Sequence, residues 1–208
     1  MNISVVIPLL NEQNSLEELS SSVSSVINDL NLKYEIILID DGSTDNSWKI
    51  ISKICSSNKN IKAIRFLKNF GKSQALSAGF KACNGDVVIT MDADLQDDPN
   101  EIPELYKKIS EEDFDLVSGW KKVRYDSIIF KNFPSKIFNW AARITSGIKL
   151  NDFNCGIKAY KKEVIQQVKL TGGMHRYIPV LAKHAGYNRI TEKVVIHHPR
   201  KHGHTKYG

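Results

Sequence analysis

From Ile3 to Ser118 the chain alternates short apolar runs with helical patterns, and that rhythm constrains the fold more than any other feature. Ile3 to Pro8 is apolar and β-branched, which reads as a buried strand. Ser15 then opens an amphipathic helix with Leu16, Leu19, Val23, Val26, Ile27 and Leu30 on one face. Glu35 to Ile39 is a second strand, closing on Asp40-Asp41-Gly42-Ser43, and Thr44 or Asp45 opens the next helix. Ile61 to Phe66 is a third strand. Gly71 to Asn84 is a helix with a small-residue face of Ala75, Ala78, Gly79 and Ala82. Asp86 to Met91 and Asp115 to Ser118 are a fourth and a fifth strand, and Asp98-Pro99 starts a helix between them, a capping carboxylate followed by a first-turn proline. Repeated strand–helix–strand units imply an α/β fold with a mainly parallel sheet flanked by helices.

The second half is less regular. Ile128 to Ser146 is helical in pattern and broken at Pro134, Ile157 to Tyr160 and Arg189 to Ile196 read as strands, and His175 to His184 as a short helix. At 208 residues a single domain is expected, 1–208, with no internal repeat or linker. Three widely spaced cysteines, Cys55, Cys83 and Cys155, form no CxxC pair and no disulfide framework, which points to a reducing compartment. The chain starts straight into a strand-like run, so no signal peptide is expected. No apolar run approaches the roughly 20 residues that span a bilayer.

In a parallel sheet, ligands bind beyond the carboxyl ends of the strands. The polar clusters fall at those ends: Asn11-Glu12 after the first strand, Asp40-Asp41 after the second, Asp92 to Asp98 after the fourth. Asp92, Asp94, Asp97 and Asp98 crowd together, and ionised carboxylates this close repel unless a cation sits among them. With the neutral oxygen of Gln96, this set suits Mg²⁺ or Mn²⁺, which would leave open positions for diphosphate oxygens. Asp98, ahead of Pro99, reads better as a helix cap. Phe70-Gly71-Lys72-Ser73 looks like the end of a phosphate-binding loop, but the earlier glycine of that motif is Phe66 here, and no GxGxxG follows the first strand. The net charge of +6 gathers in Lys121 to Arg143 and in the acid-free tail from His197. It favours phosphate-rich partners or an anionic membrane surface. Aromatics are not interleaved with these basic stretches, so nucleic acid is not expected as a partner.

Taken in order, Val6-Ile7-Pro8, Asn11-Glu12, Ile39 to Asp45, Asn69-Phe70-Gly71-Lys72, Gly85-Asp86 and Met91 to Pro99 resemble family 2 glycosyltransferases of the GT-A fold, which is Rossmann-like. Within that family the chain is similar to the polyprenyl-phosphate sugar transferases, over nearly its whole length. The resemblance implies an inverting enzyme that moves one sugar from a UDP- or GDP-sugar to an undecaprenyl- or dolichyl-type phosphate. It implies a nucleotide-binding half over 1–119, an acceptor-binding half over 120–208, and C-terminal transmembrane helices beyond the end of this sequence, which would place the whole protein on the cytoplasmic face of a membrane. Pro8, Leu10 (where an aromatic is common) and Glu12 would line the base and ribose pocket, and Ile39 and Asp41 would contact the base. Lys72 and Ala93 would lie beside the nucleotide sugar. Asp92 would face the ribose and the metal, with Asp94 and Gln96 as metal ligands. Asn151 to Lys158 matches the second-half motif, with Ile157-Lys158 replacing a common Phe-Arg pair, and offers Asp152 as the acceptor-side carboxylate. Arg200, Thr205 and Lys206 match a basic tail element in which Gly203 would let the loop bend. Lys131 and Ser135 fall where relatives carry a basic residue and a serine. His175-Arg176-Tyr177 would shape the acceptor pocket; His202 and His204 are assigned no role.

No Gln-x-x-Arg-Trp motif is present, which favours single-sugar transfer over processive synthesis. A polysaccharide, lipopolysaccharide or protein acceptor is the in-class alternative, and a non-catalytic nucleotide-sugar sensor the alternative of another class. A second copy of the chain is compatible with either reading.

Overall fold

The computed structural model describes residues 1–122 and 142–201. Lys131, Ser135, His202, Gly203, His204, Thr205 and Lys206, named above, lie outside the described residues. So does the expected helix over Ile128 to Ser146, apart from helical residues 142–146.

Seven strands form one sheet: β1 (Ile3–Leu9), β2 (Tyr34–Asp40), β3 (Ile61–Arg65), β4 (Val87–Thr90), β5 (Leu116–Trp120), β6 (Lys158–Lys161) and β7 (Ile190–Val194), in the order β3-β2-β1-β4-β6-β5-β7. The first four are mutually parallel. β6 runs antiparallel to both β4 and β5, while β7 is parallel to β5. The sheet is therefore mainly parallel, as expected, with one reversed strand. β6 consequently starts at the edge where β4 and β5 end, and the Asn151–Ile157 segment feeding it lies at that same edge.

β1 and β2 are buried along their whole length, which is why they read as unbroken apolar runs and not as alternation. Successive side chains still point to opposite faces. Ile3, Val5, Ile7, Ile36 and Leu38 meet Leu16, Leu19, Val23 and Ile27 of α1 (Leu16–Asp29), together with α2 (Ser47–Ser57) and α4 (Ile102–Ser110). Val6, Ile37 and Ile39 face the other way, onto Ala75, Leu76 and Phe80 of α3 (Lys72–Ala82) and onto α5 (Lys162–Gln167) and α6 (Ile178–His184). Gly79 lets α3 come close: a Cβ there would lie 3.0 Å from Ile39 Cδ1.

Two details differ from the sequence reading. The second helix starts at Ser47, because the Asn11 side-chain carbonyl accepts from the Thr44 and Asp45 amides (2.8 and 3.3 Å) and holds them in the preceding turn. α5 was not expected, since six residues with two buried apolar side chains give too little periodicity to detect. Asp98 does cap its turn, accepting from the Asn100 amide at 2.9 Å. No helix among the described residues is long and apolar enough to cross a membrane.

Candidate active site

The loop after β4 carries the carboxylates. Leu95 adopts a left-handed conformation (φ 62°), a sparsely populated choice for leucine that bends the loop between Asp94 and Gln96. Asp94 Oδ1 accepts from the Gln96 amide at 3.1 Å, and Asp97 reaches back to accept from the Asp92 amide at 3.1 Å. Asp92 is ion-paired with Lys72, the first residue of α3. Gly156 backs the same carboxylate so closely that a Cβ would stand 2.6 Å from Asp92 Cγ. Asp97 is buried and paired with Lys121 Nζ at 2.8 Å, one residue past β5.

Electrostatics separates these acids. Burial opposes the charge on Asp92, but Lys72 and Lys121 outweigh it and hold the carboxyl at about 2. Burial, then the charges of Asp92 and Asp97, push Asp94 up to about 6 against the pull of Arg200. Lys121 is raised: Asp97 and its neighbours overcome a burial penalty.

A strap of residues 195–201 crosses this loop. Val195 N–H donates to Trp120 O at 3.1 Å, His197 bridges to Asp97, and His198 N–H donates to Gln96 O at 2.9 Å. The His198 ring meets Asp98 at 3.0 Å. Arg200 pairs with Asp94 and stands 3.6 Å from Glu12, while Lys201 pairs with Glu18 on α1. Arg200 thus occupies the cation position of the cluster.

At the carboxyl end of β1 and in the loop after it, Pro8 is buried, Leu10 is half-buried, and Glu12 is buried with its amide donating to Ser47 Oγ at 2.9 Å. Asp41 is fully buried, and its two carboxylate oxygens accept from the Phe70 and Gly71 amides at 2.8 and 2.9 Å. It therefore shapes the loop that starts α3. Ile39, expected to contact the base, has its side chain fully buried in the core against α3, which leaves its backbone for such a contact. Ala93 is buried in the opposite core cluster.

From the second half, Asp152 is buried beside the β5 end. Its Oδ1 accepts from the Asn154 amide at 3.0 Å and its carbonyl accepts from Ser118 Oγ at 3.1 Å. Lys158, Asn154, Gly156, His175 and Arg176 join Pro8, Lys72 and Asp92 around a narrow cleft of about 20 Å³. Burial lowers the pKa of Lys158. Burial, with Lys72 and Arg176 nearby, drives His175 down to about 4, so its ring is neutral near pH 7. Ser73 Oγ fixes that histidine, accepting from its amide and meeting Nδ1, both at 3.1 Å. Sequence reasoning gave no role to Lys121 or Ser73; isolated lysines and serines carry no pattern, and only the fold brings Lys121 to Asp97 and Ser73 to His175.

No three His, Cys, Asp or Glu side chains among the described residues could together hold a metal ion. Mg²⁺-type ions, however, are commonly bound by one or two carboxylates plus substrate phosphates and water. Asp92, Asp94 and Gln96 offer that smaller set. Asp94 crowds against Asp92 and Asp97, and Asp94 Oδ1 and Gln96 are joined in one turn, so these oxygen donors are of the type that suits a hard divalent cation.

A sheet of this order, with carboxylates massed at its strand ends, has the GT-A architecture. Solved structures of glucosyl-3-phosphoglycerate synthase from Mycobacterium tuberculosis share it. The complex with phosphoglyceric acid matches with a TM-score of 0.73 at 23% identity, over 97% of this chain and 73% of that one. The complex with Mn²⁺, uridine-diphosphate-glucose and phosphoglyceric acid gives 0.73 at 25% identity, over 96% and 72%. The chain belongs to glycosyl transferase family 2, whose description matches residues 4–169. Among curated relatives, a dodecaprenyl-phosphate galacturonate synthase of Rhizobium johnstonii is 36% identical over 100% of this chain and 62% of its own length. An undecaprenyl-phosphate 4-deoxy-4-formamido-L-arabinose transferase of Pseudomonas fluorescens is 38% identical over 99% and 60%. The chain thus spans about three fifths of the length of these relatives.

Proposed function

We propose that this chain is the catalytic part of a metal-dependent, inverting glycosyltransferase that moves one sugar from a UDP- or GDP-sugar to a polyprenyl phosphate at the cytoplasmic face of a membrane. The observation that carries the reading is the meeting, at one sheet edge, of the Asp92–Asp94 pair with Glu12, Asp41 and the Asp152 segment. The names of the relatives support the acceptor class, and the Mn²⁺ and uridine-diphosphate-glucose of the structural neighbour support the donor and cofactor.

In this reading residues 1–119 hold the nucleotide and 120–208 the acceptor. Pro8, Leu10, Glu12 and Asp41 receive the base and ribose, with Ile39 contributing backbone only, and Lys72, Ala93 and Lys131 flank the sugar diphosphate. Asp92, Asp94 and Gln96 hold Mg²⁺ or Mn²⁺, which supplies charge neutralisation for the departing nucleoside diphosphate. A phosphate acceptor is already ionised near pH 7 and needs little general-base help, so Asp152 orients and does not deprotonate. Arg200 leaves Asp94 and, with Thr205 and Lys206 of the tail, meets the negative charge that develops on the diphosphate. Attack from the side opposite the leaving group inverts the anomeric centre.

The test is calorimetric titration of UDP- and GDP-sugars with and without Mn²⁺. Wild type is expected to bind a donor in a metal-dependent way, and Asp94→Ala to lose that dependence. Donor affinity indifferent to both Mn²⁺ and the substitution overturns the site. Label from a radioactive donor that reaches glycan or protein but never the lipid extract overturns the acceptor.

A further inference from the structure

Three lysines border the carboxylate cluster, and two of them have acidic partners: Lys72 is paired with Asp92 and Lys121 with Asp97. Lys158 is different. It opens β6 and is 4% exposed, and its ammonium donates to the Cys155 carbonyl, with no ion pair among the described residues. A buried ammonium without a carboxylate is costly to keep. Two of its three N–H donors have no protein acceptor among the described residues. Lys158 also lines the cleft that begins at Asp92, where Arg176 adds a second cation and Asn154 a neutral polar group. Beyond the Lys72–Asp92 pair, this cleft therefore presents two basic side chains, Lys158 and Arg176, with no direct carboxylate partner among the described residues, close to the reacting end of the proposed donor.

We infer that Lys158 and Arg176 form a subsite for a substrate oxyanion distinct from the nucleotide's own diphosphate. Its ligand class rests on the proposed transfer reaction. Two groups share the required chemistry: the carboxylate of a uronic-acid donor and the phosphate of the lipid acceptor. Either would give the Lys158 ammonium a direct oxyanion partner, which it lacks among the described residues.

A structural lysine and a ligand-binding lysine predict opposite signs. Methionine has a similar length and no charge, so Lys158→Met removes the burial penalty. Its melting temperature is expected to equal or exceed wild type while oxyanion recognition falls at least about tenfold. Calorimetry on the full chain with Mn²⁺ compares UDP-galacturonic acid with UDP-galactose, which differ in the carboxylate. In a second arm, a short-chain polyprenyl phosphate is compared with the parent alcohol in detergent. Loss of the first discrimination in Lys158→Met assigns the sugar carboxylate, and loss of the second assigns the acceptor phosphate. Lys158→Arg is expected to restore most of either. Absence of both discriminations in wild type overturns the inference. So does their persistence in Lys158→Met, or a lowered melting temperature accompanied by weaker UDP binding. Should Lys158→Met fail to fold, Arg176→Gln is read the same way. If wild type binds no nucleotide sugar, the transferase reading fails, and the subsite is judged by inorganic phosphate alone, whose affinity Lys158→Met must lower.

Discussion

Replacing Gly156 by alanine tests whether the position of Asp92 is set from behind. The added Cβ would stand 2.6 Å from Asp92 Cγ and 3.0 Å from Oδ1. Carbon–carbon contacts prefer about 3.5 Å or more, so the carboxylate or the Gly156 backbone must give way by roughly 0.9 Å. Asp92 cannot simply swing, because Lys72 pairs with the carboxylate and its amide is tied to Asp97. Overpacking of this kind costs about 1–3 kcal/mol, a few degrees in melting temperature. A misplacement near 1 Å at a reacting centre costs about a hundredfold in rate. Gly173→Ala is the control, since a Cβ there meets nothing within 4 Å. Nucleoside diphosphate release from a donor sugar, together with Mn²⁺-dependent donor titration, should show a loss of about ten- to a hundredfold for Gly156→Ala and none for Gly173→Ala. Wild-type donor affinity and turnover in Gly156→Ala would refute the idea that the glycine fixes Asp92.

Two further outcomes concern stability. Lys121→Met leaves Asp97 buried without its cation and should cost about 3–5 kcal/mol in urea unfolding near pH 7; a loss below about 1 kcal/mol contradicts a structural role for that pair. Glu35 is nearly inaccessible, and although burial opposes its charge, Lys62, Ser4 and Asn84 outweigh it and lower the carboxyl from 4.5 to about 2. A folded value below the unfolded one means that its contribution is present above about pH 4.5 and is lost as pH falls through about 2. Because Lys62 is half exposed, Glu35→Gln should cost only about 1–2 kcal/mol near neutrality. The gap from wild type should shrink toward zero near pH 2, and a gap that stays constant across that range refutes the linkage.

The strand–helix rhythm was legible because β1 and β2 are buried on both faces and therefore apolar throughout, a pattern that tertiary contacts seldom disguise. The carboxylate cluster was legible because its members are neighbours in sequence. Lys121 and Asp97, Ser73 and His175, and Arg200 and Asp94 meet only through the sheet order, so no local pattern signals them. The burial of the Ile39 side chain was not legible for a related reason. A strand end exposes alternate side chains, and which face α3 would cover depended on Gly79 admitting the helix. The start of α2 was misread because Asn11, on another loop, holds the Thr44 and Asp45 amides.

The reversed strand has an evolutionary consequence. β5 and β6 are adjacent, with Ser118 opposite Lys158, so everything in 121–157 leaves and re-enters the sheet at neighbouring points on one rim. Closing a longer or shorter excursion between two fixed neighbouring points costs only a slowly growing entropy. The seven-stranded frame can then stay constant while the excursion changes in length, but its two ends cannot change freely, because Lys121 pairs with Asp97 and Gly156 backs Asp92. On the proposed reading, the part between those two anchors is where a scaffold of this kind would be refitted to another acceptor.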